Sequence, residues 1–199
     1  MNLLKWTLIP VLMVLLVSCA GDTTKVVIMS SGKIKVDPAA NTITLEAGTQ
    51  HNEEIMEVAG GEKATVTVKT ASGDKTVELP EKGLYLLNLK QNDTLVGGVV
   101  KYGASSGRER ITDQELTHII DSTRRLIMGQ GASDQTKTYF VLPFLAKKIS
   151  DNTDATVVGP FKGLPYKVEG KEGNGPEVYK IYTNKQQRES LLDLVNRMK

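Results

Sequence analysis

The chain has 199 residues, with 25 Lys and Arg against 23 Asp and Glu, giving a formal net charge of +2. A balance this close to neutral argues against nucleic acid as a partner, which would need a clustered basic surface. The single cysteine rules out an internal disulfide, and sparse aromatics beside frequent Thr and Val suit a β-rich body.

At the N-terminus, Lys5 is followed by an apolar run over residues 6–17 that contains Pro10. A charged start, an apolar run of about 7–15 residues and a small-residue cleavage site make a secretory signal. The run is too short for a membrane span, which needs about 20 residues. It ends in Leu16-Val17-Ser18-Cys19, which resembles the bacterial lipobox, Leu-x-[Ser/Gly/Ala]-Cys. That resemblance implies removal of residues 1–18 as a signal peptide, a thioether from Cys19 to diacylglycerol, and acylation of the new amine. A thiolate is the strong nucleophile that such chemistry requires. One acyl chain gives marginal binding, whereas two or three hold a protein essentially permanently. Ala20 and Gly21 follow the cysteine, and Asp22 comes only later. An Asp directly after the cysteine would resemble an inner-membrane retention signal, so its absence points to the outer membrane. The membrane is therefore the first expected partner, through lipid on Cys19.

Cleavage also removes Lys5 and leaves 181 residues with a net charge of +1. That length suffices to bury about 70% of the unfolded surface. With Cys19 lipidated, no thiol remains for a disulfide, a nucleophile or a metal.

Residues 19–25 read as a lipidated tether and residues 26–104 as a β-rich domain. Val26 to Met29 is apolar throughout. Ile34 with Val36, Ile43 with Leu45, and Val66 with Val68 each alternate with polar neighbours. Residues 38–41 read as a turn. Ser72-Gly73-Asp74 reads as a hairpin turn answered by Val77 and Leu79. Residues 84–89 and 95–100 read as a strand pair around Gln91-Asn92-Asp93. Short strands at even spacing predict an antiparallel β-sandwich or open barrel.

Small residues over 103–107 mark the boundary to an α+β domain at 105–199. Thr112 and Glu115 match a capping box, and Leu116, Ile119, Ile120, Thr123, Leu126 and Ile127 follow at helical spacing. Gly129 and Gly131 stop that helix. Strands are expected over 138–142, 145–150, 155–158, 166–169 and 178–182, punctuated by Pro143, Pro160, Pro165 and Pro176. Tyr139, Phe140, Tyr179 and Tyr182 are candidates for their core. Thr183 or Asn184 then caps a final helix carrying Leu191, Leu192, Leu194, Val195 and Met198. The fold class is α+β: β-rich region, helix, small antiparallel sheet, helix.

The residues that could carry chemistry are few. His118 beside Asp121 and Arg125 reads as the wet face of a helix, with Asp121 and Arg125 as a surface ion pair. His51-Asn52-Glu53-Glu54, with Glu57, has ligand-capable groups, but a metal needs three or four converging from separate elements; a solvated acidic loop is expected instead. Asp151-Asn152-Thr153-Asp154 lacks the glycine and distal glutamate of a calcium loop and reads as a hairpin tip closed by its own side chains. No Walker spacing is present. No catalytic, cofactor or metal residue is assigned.

The most distinctive internal segment is Gly159-Pro160-Phe161-Lys162-Gly163-Leu164-Pro165-Tyr166-Lys167. Its prolines and glycines shape a loop that can present Phe161 and Tyr166 as anchors beside Lys162 and Lys167. The competing possibility is that both rings cover the small sheet.

The runs Gly83 to Leu89, Ile111 to Leu116 and Val178 to Lys185 are similar to segments of small lipoproteins from Bacteroidota-type bacteria. The resemblance implies a Gram-negative envelope address and no chemistry. The sequence thus predicts a non-catalytic, lipid-anchored binding or adaptor protein, whose partner is another envelope protein. A glycan-binding or hydrolytic module acting on cell-wall or imported polysaccharide is the alternative.

Overall fold

The computed structural model describes residues 23–58, 63–100, 112–168 and 176–197. Cys19, most of the tether and the boundary at 103–107 lie outside the described residues. Twelve strands and two helices are seen among those described. The strands are β1 (Thr24–Ser31), β2 (Ile34–Asp37), β3 (Thr42–Leu45), β4 (His51–Val58), β5 (Ala64–Thr70), β6 (Gly73–Leu79), β7 (Leu84–Leu89), β8 (Leu95–Val100), β9 (Thr138–Val141), β10 (Ala146–Ser150), β11 (Thr156–Val158) and β12 (Val178–Thr183). The helices are α1 (Asp113–Ile127) and α2 (Asn184–Arg197).

The strands form three four-stranded sheets, ordered β10-β7-β1-β4, β11-β12-β8-β9 and β2-β3-β5-β6. The first sheet is central, because its two faces supply both hydrophobic cores. Val26, Ile28, Met56, Val58, Tyr85, Leu87 and Leu89 meet Ile43, Leu45, Val66, Val68, Val77 and Leu79 of the β2-β3-β5-β6 sheet. Val27, Met29, Leu84 and Leu86, on the opposite face, meet Leu95, Tyr139, Val141, Tyr179 and Ile181 of the β11-β12-β8-β9 sheet. Successive side chains of a strand point to opposite faces. A strand buried on both faces therefore reads as a continuous apolar run, as Val26 to Met29 of β1 and Leu84 to Leu87 of β7 do.

The α+β class is seen, but the sheets are mixed and none closes into a barrel. β1 pairs with β7, β3 with β5, and β11 with β12 in parallel. The expected 84–89 and 95–100 pair is absent: β7 and β8 lie in different sheets. The buried Asn88 holds the crossing between them. Its Nδ2 donates to the carbonyls of Asp93 and Val141, and its Oδ1 accepts from the Lys90 amide. Strands from either side of residues 103–107 share sheets, with β10 beside β7 and β8 between β9 and β12.

Local signals explain the elements that do form. The β5–β6 hairpin turns through two residues into Gly73, whose φ of 116° suits only glycine. Thr112 and Glu115 form a reciprocal capping box at the start of α1. Gly129, at φ 75°, ends that helix with its amide on the Leu126 carbonyl. Thr183 caps α2 by accepting the Gln186 amide on Oγ1. The helices pack on each other and on β8, β9 and β12, with Ile120 and Ile127 buried. Asp121 pairs with Arg124, not with Arg125, at 3.2 Å; a separation of three residues on a helix serves as well as four. His118 is exposed. Among the described residues no helix is long and apolar enough to cross a membrane.

Candidate functional site

The expectation of a solvated loop fails at residues 51–58, and the failure exposes the site. This segment is the edge strand β4, not a solvated loop, and it lies antiparallel along β1 with Ser31 opposite His51 and Met29 opposite Glu53. Only Met56 and Val58 point into the core. His51 and Glu53 are two apart and share the other face, where their side chains are only 15% and 14% exposed.

The loop after β11 covers them. His51 Nε2 lies 2.7 Å from Glu53 Oε1, and Lys162 Nζ donates to Glu53 Oε2 at 2.5 Å. The Phe161 ring meets the His51 ring edge to face, with centroids 5.6 Å apart. Lys180 of β12 is buried and holds the loop from beneath, its Nζ donating to the carbonyls of Gly159 and Lys162 at 2.6 Å each. Phe161 itself adopts φ 64°, a left-handed conformation that costs a non-glycine residue about 1 kcal/mol or more. The contacts below it outweigh that cost.

Burial pushes the Glu53 carboxyl upward, but hydrogen bonds from His51 and Lys162 outweigh burial and leave it below its ordinary value. Burial holds the Lys180 ammonium below its ordinary range, against the opposing pull of Glu53. Lys90, buried nearby with Nζ 3.2 Å from the Ser30 carbonyl, is lowered for the same reason, with Asp93 and Glu53 opposing. One enclosed carboxylate therefore organises several ammonium groups. His51 Nδ1 is buried and has no hydrogen-bond partner.

Above this base the loop is open. Phe161 is 66% exposed, Leu164 43%, and Tyr166 fully exposed. The rings do not cover the small sheet; Tyr139 and Tyr179 fill that core, with centroids 6.0 Å apart. The strand expected from Tyr166 onward does not form over residues 166–168, where Pro165 breaks the approach. Of the four loop residues singled out in the sequence, Phe161 and Lys162 are thus brought to the cluster and Tyr166 stands clear of it. Of the two residues that make the base, Lys180 carries no local signal and Glu53 reads from sequence as part of a solvated acidic loop, because they lie 18 and 109 residues from Lys162.

Elsewhere on the surface a groove of about 700 Å³ is lined by Glu81, Tyr85, Lys137, Tyr139, Lys147, Lys148, Ser150 and Glu177, among others. Its carboxylates are matched with ammonium groups: Glu177 with Lys137, Asp134 with Lys147, and both Glu81 and Asp151 with Lys148. Glu177 also accepts from the hydroxyls of Tyr179 and Ser150. Burial pushes the Glu177 carboxyl up, but these three donors outweigh it and leave it lowered. Burial, then the hydrogen bond to Glu177, raises the Tyr179 phenol. Tyr85 and Tyr139 are buried.

The 151–154 segment closes its turn through Asn152 Oδ1, which accepts the Asp154 amide. It joins strands of different sheets and is not a hairpin tip. Among the described residues no group of three or more His, Cys, Asp or Glu could hold a metal ion.

No protein-family model, curated protein or solved structure matches the chain.

Proposed function

We propose that the protein is a non-catalytic, lipid-anchored envelope protein that binds another envelope protein through the loop bearing Phe161, Lys162, Tyr166 and Lys167. In this reading residues 1–18 are removed, Cys19 carries the lipid, the outer membrane is the address, and the sheet pair over residues 26–100 serves as a sandwich-like body. The observation that carries it is the contrast within one loop. Its base is fixed by Lys180 and Glu53, while Phe161, Leu164 and Tyr166 are displayed to solvent. A rigid base lowers the entropy lost when exposed rings are immobilised against a partner, and aromatic anchors dominate binding energy. Because Lys162 is matched by Glu53, the surface offered at that point is apolar more than cationic.

The groove at Glu177 favours the alternative, a glycan-binding or hydrolytic module, by its size alone. Glycosidase carboxylates must be free to hold or take a proton, and sugars stack on exposed rings. Carboxylates paired with lysines and buried tyrosines support the binding reading instead. A photoactivatable residue at position 166, irradiated in cells, tests it. A reproducible protein adduct, reduced when Phe161 is changed to Ala, is expected. Irradiation that yields no reproducible adduct would overturn it.

A further inference from the structure

Resting on the anchor reading above, we infer that the body stands end-on to the bilayer. The start of β1 faces the lipid, and the loop base at Phe161 stands at the far end, where it meets a partner reaching in from the aqueous side.

Chain counting sets the near end. Thr24 follows Cys19 by five positions, so the leash reaches at most about 18 Å, shorter than β1 and its neighbours are tall. Lys25 lies opposite Glu57 and beside Leu84, and Leu84 lies opposite Ser150. Lys25 also meets Asp154 at 3.6 Å. Glu57, Asp151 and Asp154 are therefore level with the start of β1. Here Lys25 is matched by Glu57 and Asp154, and Lys148 by Glu81 and Asp151. The two lysines offset two of these four carboxylates, which reduces the repulsion from anionic headgroups at this end, and the short leash sets the approach.

The loop rises away from that end. β1 advances six residues from Lys25 to Ser31, about 20 Å, and His51 lies opposite Ser31. β11 follows the same course: Asp154, before it, touches Lys25; Gly159, after it, touches Glu53; Phe161 then meets His51. Two independent contacts thus place the two ends of one short segment at opposite ends of β1. Lying flat along β4 would add Glu54, exposed midway along that strand opposite Ile28, to the carboxylates facing the membrane, which anionic lipids disfavour.

Single-cysteine variants test this cleanly, since lipid occupies the only native thiol. Full-length protein carrying Glu57→Cys, Asp151→Cys, Gln50→Cys or Phe161→Cys is labelled with an environment-sensitive fluorophore and reconstituted in phosphatidylethanolamine–phosphatidylglycerol vesicles containing headgroup nitroxide. Positions 57 and 151 should be quenched several-fold more than positions 50 and 161. A flexible Gly-Ser insertion of about ten residues before Thr24 should erase the difference. Equal or stronger quenching at 161, with Gln50→Cys guarding against a local effect of altering Phe161, would overturn the orientation and place the loop on the lipid itself. Failure of the protein to float with vesicles, with no lipid mass on Cys19, would overturn the anchor reading and the orientation with it.

Discussion

Gly159 lies so close to Glu53 that a β-carbon there would fall 1.9 Å from the carboxylate oxygen Oε1. The missing side chain is what lets an edge-strand carboxylate sit beneath the loop and take two partners from it and from its own strand. Gly159→Ala must push Glu53 off His51 and Lys162, since the alternative is moving β11. A loss of about 1–3 kcal/mol is expected from overpacking of this kind, measured by chemical denaturation. Faster proteolysis within residues 161–167 should accompany it, while the core strands stay protected.

Glu53→Gln keeps the shape and removes the charge. Hydrogen bonds to charged groups contribute about 1.5–3 kcal/mol, so a loss in that range at neutral pH is expected. The sign with pH follows from the lowered carboxyl. A depressed folded-state value means stability is present above the ordinary glutamate range, near 4.3, and is lost as pH falls through the folded value. Glu53 and Glu177 both act in this direction. Denaturation midpoints of the wild type should fall steeply in that acid range, and the slope should be shallower in Glu53→Gln.

Much of the architecture is legible in the sequence, and the failures share a cause. Strands with one wet face, such as 64–70 and 73–79, show their alternation, and the capping box at Thr112 and Glu115 marks the helix start. Partnership is not legible. β1 and β7 are parallel neighbours although some 60 residues separate them, and nothing local records that. β4 escaped because His51-Asn52-Glu53-Glu54 has the composition of a turn. Its inward signal consists of Met56 and Val58 alone, and Glu53 is enclosed by Gly159 and Lys162, more than 100 residues away, together with His51 of its own strand. Proline and glycine did mark the 159–167 loop, because backbone shape is a local property. What holds the loop is tertiary.

The placement of β7 at the centre gives a direct stability test. Leu86 is fully buried on the face shared with the β11-β12-β8-β9 sheet. Leu86→Ala should cost about 2–5 kcal/mol through lost burial and the cavity left behind. Leu192 on α2, 63% exposed, should cost under about 0.5 kcal/mol on the same change. Paired thermal melts of the two variants would check the contrast.

The claim on which the functional reading rests is the lipid on Cys19, and metabolic labelling with a palmitate analogue tests it most directly. Wild-type protein should incorporate label and migrate as a mature chain shortened by 18 residues. Cys19→Ala should incorporate none and accumulate as uncleaved precursor. Equal labelling of the Cys19→Ala chain, or an unlabelled wild type, would contradict the anchor.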